Sequence, residues 1–259
     1  MLPYDVDHAR RHLEAQDRRL GKLIQKVGPF TMQLMETADV FQALARSIVY
    51  QQLNGRAAAT IFGRVQDAMP GALLTPENVQ GATDEVLRAA GLSANKLRAL
   101  RDLTEKTLGG HVPALPHLHT MEDDAIVERL TVVRGIGRWT VEMLLIFRLG
   151  RPDVLPVDDY GVRKGFARIL GKKELPTPKE LLAYGEKWRP FRSVASWYLW
   201  RAAEAPEKPA AKAKATRATK TETKAKTEPK PKAAAKAKPA SPRSRASRRP
   251  AAPRAKARG

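Results

Sequence analysis

Cysteine is absent from all 259 residues. That excludes disulfides, thiolate metal sites and any cysteine-ligated iron–sulfur cluster. No apolar run approaches the roughly 18 residues that a membrane-crossing helix needs. The opening Met1-Leu2-Pro3-Tyr4-Asp5 lacks the basic stretch and apolar core of a secretory leader. The expectation is an intracellular protein with no membrane partner, in the cytoplasm or nucleoid if the source is bacterial. Aromatics make up only 6% of the chain, and acidic residues are outnumbered: 27 Asp and Glu stand against 47 Lys and Arg, a net charge of +20. An excess of that size calls for a polyanionic partner, nucleic acid before any other. Alternating strand patterns are scarce as well. Short helical patterns rich in Leu, Ala and Val argue instead for an all-α bundle.

The charge is uneven. Residues 206–259 hold 18 Lys or Arg and 3 Asp or Glu, so 15 of the 20 net positive charges lie there. This stretch has no aromatic residue and its apolar content is almost all alanine, so it cannot bury a core and should be disordered. Its Lys-Ala, Lys-Pro and Arg-Ala units suit a DNA-binding tail that contacts phosphates without sequence preference. Residues 1–205 then form the folded domain.

Along that domain, Leu13, Leu20, Leu23 and Ile24 are spaced for one buried stripe and predict a single lid helix between about Tyr4 and Val27. Two helical patterns flank Gln51-Gln52-Leu53-Asn54-Gly55. Pro76 and Asp84 open short helices, and a longer one runs from Ala94 to about Leu108, stopped by Gly109-Gly110. His111 to His119 contains three histidines but no i,i+4 pair that could hold a metal, and reads as a surface connector.

The rest is organised around Val132–Arg168. Apolar Leu130, Val132 and Val133 precede Gly135-Ile136-Gly137, and a second helical pattern, Val141, Leu144, Leu145, Leu149, follows at once. Two helices joined by a Gly-x-Gly turn make a helix-hairpin-helix. Both glycines are free to reach positive φ, Ile136 can plug the turn into the core, and the first amides of the second helix form an anion site suited to a DNA phosphate. Downstream, Pro156 and Asp158-Asp159-Tyr160 precede Val162, Phe166 and Ile169 as a helix start.

Gly135-Ile136-Gly137-Arg138-Trp139-Thr140 followed by Leu155-Pro156-Val157-Asp158-Asp159-Tyr160 resembles the signature of the helix-hairpin-helix (HhH-GPD) DNA glycosylase superfamily, and within it the alkylation-repair branch, DNA-3-methyladenine glycosylase II. The likeness extends over Phe41–Leu53, Gly91–Lys96 and Trp188–Ser193 with Trp197 and Trp200, roughly Phe41 to Arg201. It implies a two-lobed helical bundle with the hairpin at the lobe junction. This chain lacks the strand-rich N-terminal segment of the best-known member, so the compact helical form is expected.

The resemblance also implies roles. Asp159 is the catalytic carboxylate, with Asp158 as the helix cap; a register error of one residue would exchange them. Trp139, Tyr160, Gln51 and Trp200 are candidates for the base pocket. Gln52, with Leu53 beside it, occupies the wedge position that fills the space left by an extruded nucleotide. Gly135, Ile136, Gly137, Arg138 and Thr140 are candidates for holding phosphate, with a structural monovalent cation possible at the hairpin and no other cofactor. Bifunctional relatives carry a lysine where this chain has Trp139, so the implied activity is monofunctional: a monomer removes an alkylated purine of the 3-methyladenine type from double-stranded DNA and leaves an abasic site. The competing readings are a bifunctional oxidised-purine glycosylase of the same fold and a non-catalytic nucleoid protein.

Overall fold

Side chains that accept hydrogen bonds from the first free amides of a helix set most of the helix starts in this protein. The computed structural model describes residues 2–36 and 39–205. Asp5 caps α1 (Val6–Gln16), Asp17 caps α2 (Arg18–Val27), Asp39 caps α3 (Val40–Tyr50) and Asn54 caps α4 (Gly55–Asp67). Thr75, Thr83 and Ser93 do the same for α5 (Pro76–Gly81), α6 (Asp84–Ala89) and α7 (Ala94–Leu108). Next come α8 (Leu115–Thr120), α9 (Asp123–Thr131) and α10 (Arg138–Phe147). Then α11 (Tyr160–Leu170) is followed by α12 (Pro178–Gly185), which opens on a reciprocal Thr177–Glu180 capping box, and by α13 (Arg192–Glu204). Two 3-10 turns, Pro70–Ala72 and Glu186–Trp188, complete the elements, and there is no strand among the described residues. No helix among them is long and apolar enough to cross a membrane.

The helices fall into two packing groups. In one, α1 and α2 pack on each other and on α13, α2 also meets α11, and α11 lies closest of all to α13. In the other, α3 packs on α4 and α7, while α5 and α6 lie on α7. The α9–α10 hairpin and the start of α11 sit where the groups meet. Its turn is tied to the second group by Arg134, whose amide donates to Asp102 Oδ2 at 2.7 Å.

Three expectations need correction. The predicted lid helix is two helices. The buried stripe of Leu13, Leu20 and Ile24 runs through both, but Asp17 takes an extended backbone between them and starts α2 with its own side chain. Asp17 is only 3% exposed and also accepts from Trp188 Nε1 at 2.9 Å, which fixes the break against the far end of the chain. The histidine connector contains a helix, α8, with Pro116 in its first turn; its start has no side-chain cap, so the usual signal is missing. Finally, only Gly135 of the hairpin glycines takes a positive φ, 80°, whereas Gly137 is extended at −95°. The predicted tail, 206–259, lies outside the described residues.

Candidate active site

The hairpin turn is built from the core outward. Ile136 is 3% exposed and anchors it, and its amide donates to Val133 O at 3.0 Å. The N-cap of α10 is Gly137, which brings no side chain. Thr140 and Val141 give their amides to Gly137 O, so among the described residues the amides of Gly137, Arg138 and Trp139 find no acceptor within the chain. Three free donors at the positive end of a helix dipole make an anion site. Thr140 does not add to it: its side chain is buried and its amide is already used. Arg138 is paired, through Nε with Glu142 Oε1 at 3.1 Å and through a second nitrogen with Asp124 at 3.4 Å.

The segment leading to α11 is held rigid. Ser193 Oγ accepts from the Val154 amide at 2.9 Å and donates to Arg151 O at 2.6 Å. Arg192 clasps both carboxylate oxygens of Asp153, at 2.7 and 3.0 Å. Val154 and Leu155 are buried, and the Asp159 amide donates back to Pro156 O at 3.0 Å, closing the turn.

That turn delivers Asp159, and Asp159 rather than Asp158 caps α11. Its Oδ1 accepts from the Val162 amide at 2.8 Å. The same oxygen accepts from Trp200 Nε1 at 2.8 Å, and Oδ2 accepts from Trp139 Nε1 at 2.8 Å. Asp158 is exposed and makes neither contact. The capping role assigned from sequence to Asp158 therefore falls to Asp159: the cap and the carboxylate held by the indoles are one side chain. A carboxylate offers roughly four acceptor positions. Three are occupied here, and the remaining one is on Oδ2.

Trp139 is 49% exposed although its ring nitrogen is engaged. Trp200 is half-buried and lies against Phe147, with ring centroids 5.5 Å apart and planes 30° apart. Tyr160 is 64% exposed beside them. Gln51 is not in this group: its Nε2 donates to Gly135 O at 2.7 Å and braces the hairpin from the end of α3. Next to it, Gln52 holds a left-handed backbone (φ 58°) and, like Leu53, projects into solvent. A non-glycine residue costs energy in that conformation, of order 1 kcal/mol, and such strain gathers at working sites.

Two further residues escaped sequence reading. Glu142 is 5% exposed under the hairpin, and burial pushes its carboxyl up to about 7 even though Arg138 stands beside it. The available signal was a carboxylate on the apolar face shared with Val141 and Leu145. Phe147, which backs Trp200, gave none.

A family model of HhH-GPD superfamily base excision DNA repair proteins matches residues 45–190. The chain is 37% identical over 198 residues to a Schizosaccharomyces pombe protein named DNA-3-methyladenine glycosylase 1, covering 76% of this chain and 87% of that protein. It is 27% identical over 178 residues to the Escherichia coli protein named DNA-3-methyladenine glycosylase 2, covering 65% of this chain and 60% of that one. Its structure resembles that of the S. pombe 3-methyladenine DNA glycosylase in complex with abasic DNA, with a TM-score of 0.67 over 75% of this chain and 95% of that chain.

Proposed function

This chain belongs to the HhH-GPD superfamily of base excision DNA repair proteins, and on that premise we propose a monofunctional DNA glycosylase that excises alkylated purines of the 3-methyladenine type from double-stranded DNA. The observation that carries the reading is the Asp159 carboxylate, fixed by two indole N–H groups and one backbone amide, beside a helix start with free amides.

A base within a duplex is out of reach, so its nucleotide is rotated out of the stack. The free amides of Gly137, Arg138 and Trp139 hold a backbone phosphate without reading sequence. Gln52, with its left-handed backbone, and Leu53, both exposed at the loop tip, fill the vacated space. An alkylated purine carries positive charge, and the half-exposed indole of Trp139, with Tyr160 near it, attracts it by stacking and cation–π contact. Because such a base already leaves readily, the protein mainly has to stabilise positive charge growing on the sugar. The one free acceptor position on Asp159 Oδ2 faces that charge or orients the attacking water. Trp139 stands where a Schiff-base enzyme needs an amine, so the reaction ends at the abasic site.

DNA is the partner, which implies an intracellular location, and one chain supplies every group named, so a monomer suffices. The hairpin carbonyls suit a structural monovalent cation: Gly135 O and Val133 O each accept one hydrogen bond and keep a second lone pair. No step of the reaction passes through it.

The test uses duplexes bearing one alkylated adenine, incubated with protein and then heated in alkali. Asp159→Asn keeps the α11 cap, because Asn caps about as well as Asp, and should cut the excision rate by about a hundredfold to a thousandfold, the scale of a lost electrostatic group. Full activity in that variant would reject the assignment. Borohydride should trap no covalent complex on DNA.

A further inference from the structure

Gly161 is the second residue of α11 and takes an ordinary negative φ. Its backbone conformation therefore does not require glycine, and glycine is unfavourable in a helix relative to alanine. Space is what requires it. A Cβ at this position would lie 2.7 Å from Trp200 Cδ1, 3.2 Å from Trp200 Nε1 and 3.1 Å from Asp159 Oδ1. Nε1 and Oδ1 are the donor and acceptor of the hydrogen bond that holds Asp159 from the α13 side, and Cδ1 is the ring carbon bonded to that donor. Phe147 lies against the indole and restricts where it can shift. Four residues on, Gly165 meets a different obstacle: a Cβ there would overlap the Leu199 carbonyl, so that glycine sets how closely α11 approaches α13.

From these contacts we infer that Gly161 is a positioning residue, holding open the gap through which Trp200 reaches and orients the Asp159 carboxylate. This rests on the proposed catalytic role of Asp159. An added methyl displaces the indole, breaks the Nε1–Oδ1 bond and turns the carboxylate, while the free hairpin amides and the Gln52 loop are untouched. The loss falls on the chemical step and spares DNA affinity.

The experiment compares single-turnover excision rates with affinity for abasic duplex. Gly161→Ala should slow excision at least tenfold with affinity changed less than threefold. In a Trp200→Phe background, where the indole donor is already gone, adding Gly161→Ala should slow excision by a clearly smaller factor than it does in the wild type, leaving only its contact with Asp159 Oδ1. An unchanged rate in the single variant, or an equal loss in both backgrounds, overturns the inference. If Gly161→Ala does not fold, Trp200→Phe alone must slow excision at least tenfold with affinity held, and a full rate in that variant overturns it. Asp159→Asn in parallel separates the two ideas: a dead Asp159→Asn enzyme beside a fully active Gly161→Ala enzyme rejects the positioning role and leaves the glycosylase reading intact.

Discussion

Glu142 lies beneath the hairpin with 5% of its surface exposed, and its burial pushes its carboxyl from 4.5 up to about 7. The folded chain then holds this proton more tightly than the unfolded chain does. The stabilisation is complete below pH 4.5 and is lost as pH rises through about 7. Glu142→Gln imitates the protonated side chain at every pH. The wild type should therefore lose stability relative to Glu142→Gln by an amount on the order of 3 kcal/mol between pH 4 and 8. Denaturant unfolding of both proteins at the two pH values measures it, and parallel pH curves would refute it. That Trp139 and Asp159 come together was readable from sequence, because one motif contains both. Trp200 was nameable but its partner was not, because the bond to Asp159 joins residues 41 apart. That Asp159 rather than Asp158 is the cap has a similar origin: both precede the helical pattern equally well, and only the turn closed onto Pro156 O decides between them.

At the scale of elements, the hairpin depends on the left-handed turn at Gly135. A Cβ there would be strained at φ 80° and would lie 3.3 Å from Ala99 Cβ on α7. Gly135→Ala should cost about 1–2 kcal/mol in stability. It should also weaken abasic-duplex binding severalfold, because the turn aims the free amides. Thermal unfolding and fluorescence anisotropy check the two effects, and wild-type values in both would contradict this account. Helices announced by a capping side chain or a first-turn proline at the edge of a periodic pattern, such as α5, α6 and α7, were readable to within about a residue. α8 was hidden because Ala114 offers no cap and three histidines look like a loop. The break at Asp17 was hidden because the apolar stripe continues across it. Buried Asp17 is satisfied by Trp188 and Lys187, both distant in sequence, together with local amides.

For the whole molecule, charge distribution makes a prediction that needs no coordinates. Residues 206–259 carry 15 of the 20 net positive charges. Removing them should lower affinity for undamaged DNA and flatten its dependence on salt, while excision at saturating enzyme persists. Binding measured across a salt series tests this, and a slope identical to that of the full chain would remove the tail from DNA binding. The all-helical, two-lobed architecture was foreseen from scarce strand patterns and the family signature, because fold class depends on patterning spread over many residues. The packing of the first two helices has a further consequence. Their partners are α11, α13 and the 3-10 turn that carries Trp188, so the apolar stripe of α1 and α2 stays uncovered during synthesis until α13 has been made. Trp200 reaches Asp159 only at that same moment. A chain that stops short of α13 therefore holds Asp159 without its Trp200 donor, and one helix covers the earliest apolar stripe and completes that contact together.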